Sequence, residues 1–119
     1  MKRKILLFIP VFQCRNQITR VIRKIDPDLQ KMIDEVLIID NCSKDDTLDV
    51  AMEAIKRLDV KANIYVNHQN YSLGGSLKNA FTYAIKNKYD YIVVLHGDDQ
   101  ADPQDLKQLL SSNYYQQYD

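Results

Sequence analysis

The sequence predicts an α/β domain with a mostly parallel sheet and helices on both faces, in the order β-α-β-α-β-α-β-α. Three observations predict it. Four short runs, residues 4–9, 35–39, 62–66 and 91–95, are dominated by apolar, β-branched and aromatic side chains, as strands of a covered sheet are. The stretches after them carry apolar residues at i, i+3, i+4 and i+7, the mark of one-faced helices. Alternation of the two implies parallel strands, because parallel neighbours need a helical crossover, and crossovers of this kind are right-handed. At 119 residues, without internal repeats or linkers, the chain is expected to form one domain around one core.

Each element has its own warrant. Strand one runs into Pro10, which cannot donate to a ladder and is expected to end the pairing. Asn16 is the expected N-cap of the first helix, which buries Ile18, Val21, Ile22 and Ile25. Asp26-Pro27-Asp28 breaks that helix. Strand two ends in the polar turn 40–47, where Ser43 and Asp46 have capping-box spacing. The second helix presents Leu48, Ala51, Met52, Ile55 and Leu58 to the core. Strand three leads through Asn70 and a Gly74-Gly75 loop to a third helix, with Leu77, Ala80, Phe81, Ala84 and Ile85 on its buried stripe. Strand four is read as buried on both faces. The fourth helix starts at Pro103, with Asp102 as cap and Leu106, Leu109 and Leu110 inward. The tail 111–119, with Tyr114, Tyr115 and Tyr118, has no usable periodicity.

Composition excludes several classes. Net charge is zero, which gives no case for a nucleic-acid partner. The charge is uneven, however: residues 1–24 carry seven Lys/Arg and no acid, while residues 88–119 carry six acids and two Lys. A solvated helix face explains the basic end; the sharper reading is peripheral contact with an anionic membrane surface. Cys14 and Cys42 have neither zinc-ligand nor CxxC spacing and read as a reduced pair. The apolar run 5–12 is too short to span a bilayer and has no signal-peptide pattern.

The chemistry collects at the C-terminal ends of the strands, which in a parallel sheet share one edge and can line one crevice. Strand one ends in Pro10-Val11-Phe12, strand two in Asp40-Asn41, and strand four in His96-Gly97-Asp98-Asp99. Lys78 lies in the third helix, whose N-terminus offers backbone N–H groups to a phosphate. A nucleotide suits this inventory. Phe12 could lie against a base and Asp40 accept hydrogen bonds from it. Lys78 could add a cation near phosphate, and Asp98 could hold a divalent cation on a diphosphate. Against these stand plainer roles: Asp40 as a turn residue, Gly74-Gly75 as a tight loop, Lys78 and His68 as solvated side chains. A dinucleotide-binding Rossmann domain would need G-x-G-x-x-G after strand one, and the turn there has no glycine. A phosphoacceptor receiver domain would want acids at the same place.

The segments Ile9-Pro-Val-Phe12, Val36-Leu-Ile-Ile-Asp40-Asn-Cys-Ser43-Lys-Asp45-Asp-Thr47, Asn70 with Leu73-Gly-Gly75-Ser-Leu-Lys78, and Val93-Val-Leu-His96-Gly-Asp98-Asp-Gln100-Ala-Asp102-Pro103 together resemble the family 2 glycosyltransferases of GT-A fold. The flavour is that of the polyprenyl-phosphate sugar synthase branch. The resemblance covers nearly the whole chain. It implies a Rossmann-like GT-A domain, a UDP- or GDP-linked sugar donor, a divalent cation (Mn or Mg), and inverting transfer to a polyprenyl-phosphate or cell-surface glycan. By position, Pro10, Phe12, Asp40, Lys78 and Gly97 would serve the nucleotide and Asp98 the metal. His96 stands where the first Asp of the D-x-D motif belongs, which favours Mn over Mg if it ligates. Asp99 and Ser72 stand where the family has a small or apolar residue and a glycine.

The acceptor-side general base of such enzymes lies in a later acidic motif, so it is expected beyond Asp119. The resemblance therefore implies residues 1–119 to be the nucleotide-sugar-binding part of a truncated domain, inactive alone. The reduced cysteine pair and the basic N-terminal end point to a cytoplasmic location, at the inner face of a membrane. An exposed sheet edge would allow a homo-oligomer. The alternative is a nucleotide- or metal-binding module without transferase activity. A nucleotidyltransferase would want a glycine-rich basic loop after strand one.

Overall fold

The computed structural model describes residues 3–99 and 101–112. Gln100 of the acidic turn and the tyrosine-containing tail lie outside the described residues. The elements run β1 (Ile5–Val11), α1 (Ile18–Arg23), α2 (Pro27–Met32), β2 (Glu35–Asp40), α3 (Thr47–Ile55), β3 (Ala62–Val66), α4 (Ser72–Lys86), β4 (Tyr91–Val94) and α5 (Pro103–Ser112). The four strands form one parallel sheet in the order β3-β2-β1-β4. Chain progress runs outward from β1 to β3 and then returns to the far side of β1, so the order reverses between β1 and β4.

That reversal sorts the helices. Helices α1, α2, α3 and α5 bury Ile18, Val21, Ile22, Leu29, Ala51, Ala54, Leu106 and Leu110 against one face of the sheet, which supplies Leu7, Ile9, Val36 and Ile38. On the other face, among the described residues, α4 is the one helix, and it packs Ala80 and Ala84 onto Leu6, Phe8, Leu37 and Ile39. The two small residues let α4 lie close to the sheet. Every residue of β1 and β2 is buried, as continuous apolar runs in a doubly covered sheet should be.

Several expectations are corrected. Strand β1 passes through Pro10 to Val11, which pairs with Asp40. The Pro10 carbonyl faces the β4 side, where it accepts from Gly97 N at 3.1 Å, while the Val11 carbonyl faces β2 and accepts from Asn41 N at 2.9 Å. In a parallel strand a residue's N–H and C=O share a side, so the missing Pro10 N–H falls where regular β4 has already ended, and the β2 ladder loses nothing. Strand β4 is not covered on both faces: it is an outer strand and Val94 is exposed.

The helix starts differ too. Gln17, not Asn16, precedes α1, and its N–H and that of Ile18 both reach the Cys14 carbonyl. The Ser43/Asp46 capping box does not form; Asp45 takes the Thr47 N–H at 3.0 Å and its hydroxyl, and Asp46 pairs with Arg15 at 2.9 Å. Asp26-Pro27 starts a helix as well as ending one, because Asp26 accepts the Leu29 N–H at 2.8 Å as the cap of α2. Asp102 caps α5 as expected, accepting from Gln104 N at 3.0 Å. Met52, Phe81, Ile85 and Leu109 are exposed instead of buried. Both outer strands leave the flanks of the helices above them uncovered, so the apolar arcs read from periodicity are wider than the sheet beneath.

Candidate functional site

A cavity of about 300 Å³ opens at the C-terminal ends of β1, β2 and β4, at the point where the strand order reverses. Pro10 and Phe12 form one wall; His96, Gly97 and Asp98 form another; Asn41, Ser72 and Ser76 close it from β2 and the start of α4. Phe12 and Leu73 present apolar surface there while remaining 45% and 47% exposed. The cavity therefore combines flat apolar walls with amide, hydroxyl, imidazole and carboxylate groups, the mixture that small-molecule sites use.

The loops are held by named bonds. Asp40 is buried, and its Oδ1 accepts from Ser43 Oγ at 2.5 Å and from Ser43 N at 3.3 Å. Ser43 Oγ in turn accepts from Gln13 N at 2.8 Å. Asp40 thus stands behind the wall and ties the Phe12-Gln13 loop to the end of β2. Asn41 does the same for the loop before α4. Its Oδ1 accepts from Asn67 Nδ2 and Tyr71 N, each at 2.9 Å, and its Nδ2 donates to Asn70 Oδ1 at 2.8 Å. Asn67 Nδ2 also reaches Ser76 Oγ at 3.1 Å. This amide network was not singled out by sequence reasoning. Its one sequence signal is the density of Asn at positions 41, 67 and 70 in two strand-end turns, with Asn79 in the helix that follows.

Gly97 belongs to the site for a different reason than backbone freedom. Among the described residues no glycine has positive φ. A Cβ at Gly97 would stand 3.0 Å from Val11 Cγ2, 3.2 Å from the Pro10 carbonyl oxygen and 3.3 Å from Ile18 Cδ1, so any other residue would press on β1 and α1 by a few tenths of an ångström. The positive φ falls instead on Asp99, at 65°. Gln13, Cys42 and Ser72 also have positive φ, and all flank the cavity-forming loops. L-residues in this conformation persist only where surrounding contacts fix them. Ser72 shows why the family pattern carries glycine there.

Electrostatics separate the adjacent acids. Asp99 Oδ1 meets Lys24 Nζ and Oδ2 meets Arg20 Nε, both at 3.0 Å, and the hydrogen bonds from Lys24 and then Arg20 hold its carboxyl below the usual range. Asp98 faces the cavity. Cys14 also lines it, but burial above all pushes its thiol up to about 11, with the Asp40, Asp45 and Asp98 charges adding to the shift. Such a thiol is a wall and not a nucleophile at neutral pH.

Lys78 does not reach this cavity. Gly74 and Gly75 are helical and not part of the loop, so Lys78 lies six residues past Ser72, roughly 1.7 turns into α4. It lines a separate cavity with His68, Tyr71 and Asn79 on the opposite flank of the helix. Asp40, as described, lies behind the wall. Pro10, Phe12, His96, Gly97 and Asp98 are brought together as the sequence suggested.

The donor set suits a cation completed by a substrate. Asp98 offers one carboxylate and His96 one imidazole, both on the cavity wall. Among the described residues no group of three His, Cys, Asp or Glu gathers to cage an ion by itself. Cations bound through diphosphates commonly take one or two protein ligands and complete their shell from the phosphates. Among the described residues, no helix is long and apolar enough to cross a membrane.

The uncharacterized protein MJ0544 of Methanocaldococcus jannaschii is 28% identical over 106 residues, 88% of this chain and 44% of that protein. The mannosyltransferase PcManGT of Pyrobaculum calidifontis, solved with GDP-Man and Mn2+, superposes with a TM-score of 0.73 at 15% identity over 92% of this chain and 33% of its own. TarS 1–349 of S. aureus, solved with UDP-GlcNAc, superposes at 0.66 with 19% identity over 96% of this chain and 31% of its own. The chain thus spans less than half the length of these relatives. At such identities the structures establish the shared fold. The model of the glycosyl transferase family 2 matches residues 7–114, and the chain belongs to that family.

Proposed function

We propose that this chain is the donor-binding part of an inverting glycosyltransferase that takes a UDP- or GDP-linked sugar and serves a polyprenyl-phosphate or cell-surface glycan acceptor. The carrying observation is the cavity at the strand-order reversal, which Pro10 and Phe12 line together with the adjoining His96–Asp98 turn. The base would lie along Pro10 and Phe12, on a loop that Asp40 holds through Ser43. The diphosphate would lie toward Asp98 and the hydroxyls of Ser72 and Ser76. Asp98, with His96 beside it, would hold a divalent cation, and the imidazole favours Mn over Mg. When bound, such a cation neutralises the diphosphate and makes it a better leaving group.

The relatives solved with GDP-Man and with UDP-GlcNAc support a nucleotide-sugar donor. The acceptor, the inverting course, the polyprenyl-phosphate branch and a place at the cytoplasmic face of a membrane are part of the proposal. So is the expectation that residues 1–119 bind a donor without turning it over, because an inverting displacement needs a base at the acceptor hydroxyl. Titration calorimetry with UDP and GDP, with and without Mn2+, tests the reading. Binding should require Mn2+ and be lost in Asp98→Ala. No binding of either nucleotide would sink it, and sugar transfer by these residues alone would overturn the division of labour.

A further inference from the structure

The acidic turn after β4 is anchored on both sides of Asp98. On one side Gly97 is wedged against Val11, Pro10 and Ile18, and its N–H is bonded to the Pro10 carbonyl. On the other, Asp99 takes one cation on each carboxylate oxygen, Lys24 and Arg20, both at 3.0 Å. These two residues stand one turn apart on the α1 side of the chain. Arg20 is itself fixed, since its Nη1 donates to the Asn16 carbonyl at 2.8 Å. The Asp99 side chain is only 14% exposed, against 56% and 44% for its partners. The basic N-terminal end of the sequence and its acidic C-terminal end meet at this carboxylate.

We infer that Asp99 is a positioning residue for Asp98. Clamped by Arg20 and Lys24, it fixes the turn that presents the Asp98 carboxylate to the cavity. The inference rests on the reading of that cavity as a nucleotide-sugar site. Two adjacent carboxylates facing one crevice would repel each other and compete for one cation. Here the left-handed backbone of Asp99 carries its side chain to α1, where two cations neutralise it. Asp98 is left as the acid that faces the cavity. Ion pairs with half-exposed cations add little to global stability, so loss of this clamp is read in ligand affinity and not in melting temperature.

The test measures Mn2+–nucleotide affinity by calorimetry, Mn2+ affinity by electron paramagnetic resonance, and Tm, on the full chain. The variants are Asp99→Asn, Asp99→Gly and the double Arg20→Gln/Lys24→Gln. Glycine accepts the positive φ freely, so Asp99→Gly removes the carboxylate without backbone strain. Each variant should weaken Mn2+-dependent binding by about tenfold, the usual scale for groups that orient a metal ligand, with Tm held within about 4 °C. Adding Asp99→Asn to the double variant should cost nothing more, because both break one clamp. Parental affinity in all three variants overturns the inference while leaving the donor site intact. Additive losses also overturn it, since Asp99 would then bind the cation itself. A parent chain that binds neither nucleotide removes the site reading, and this inference with it.

Discussion

A Cβ added to Gly75 would stand 2.5 Å from Cβ of Tyr71, and this contact is why the first turn of α4 carries a glycine there. Tyr71 cannot easily yield, because its N–H is held by Asn41 Oδ1 at 2.9 Å. Gly75→Ala should therefore destabilise the chain by about 1 kcal/mol: overpacking costs roughly 1–3 kcal/mol and the helix-propensity gain offsets roughly 1. Gly74 is the control. A Cβ there meets only Ser72 Oγ at 3.8 Å, so Gly74→Ala should stabilise by about 0.5–1 kcal/mol. Urea titrations of the two variants check the difference; equal gains would mean that Tyr71 moves aside.

Glu35 is the buried acid at the opposite end of β2 from the cavity. It accepts from Tyr83 at 2.5 Å, from Tyr89 and from Asn63 at 2.8 Å, with Lys61 at 3.6 Å, and so ties α4 and the segment before β4 to the sheet. Truncation would leave the partly buried Tyr83, Tyr89 and Asn63 donors without this acceptor, so Glu35→Ala should cost about 2–3 kcal/mol. Glu35→Gln keeps an acceptor and, since hydroxyls rotate, should cost about 1 kcal/mol. A Glu35→Ala variant as stable as Glu35→Gln would contradict this assignment.

Acid stability follows from the same groups. Burial tends to raise the Glu35 carboxyl, but hydrogen bonds from Tyr83, Tyr89 and Asn63 outweigh it and hold it below the ordinary 4.5. Asp26 is lowered to about 2, first by the Leu29 N–H and then by Gln104 and Lys107. Both carboxyls ionise at lower pH folded than unfolded. The unfolded chain therefore binds more protons as pH falls from about 4.5 toward 2, and stability is lost across that window. Melting temperature against pH should drop there in the parent. Asp26→Asn and Glu35→Gln should each flatten part of this drop; unaltered slopes would rule out both assignments.

The parallel sheet was implicit in four apolar runs alternating with helices, and the crevice in the polar residues that end three of them; the order β3-β2-β1-β4 was not. What stayed hidden depended on contacts distant in sequence. Periodicity marked Phe81 and Ile85 as buried because it sees a helix arc and not the width of the sheet beneath it. Position told that Gly97 mattered but not that Val11 and Ile18 crowd a Cβ there. Asp99 read only as a departure from the family pattern, because its partners Arg20 and Lys24 lie far back in the chain. The exposed pair gives a direct check. Ile85, 78% exposed, should tolerate Ile85→Ser within about 0.5 kcal/mol. Ala80→Leu, at a fully buried position under the same helix, should cost about 1–3 kcal/mol. A large loss from Ile85→Ser, measured by denaturant unfolding, would show that this side of α4 is covered in solution.

Asn41 joins stability to the cavity. It is buried, accepts two hydrogen bonds from the loop before α4 and donates one to Asn70. Asn70 Oδ1 also receives the Ser72 N–H at 2.8 Å, so the network ends on the residue whose positive φ starts the helix. Asn41→Ala leaves the Asn67 amide and the Tyr71 N–H without this acceptor and should cost about 2–3 kcal/mol. Asn41→Asp keeps both acceptances but sets a carboxylate against Asn70 Oδ1. It should cost less in stability, about 1 kcal/mol, and still displace Asn70 and Ser72 at the cavity wall. Nucleotide binding should therefore fall in both variants, while only Asn41→Ala shows the larger loss in urea. If Asn41→Asp binds nucleotide as the parent does, the amide network supports the fold alone and does not shape the donor cavity.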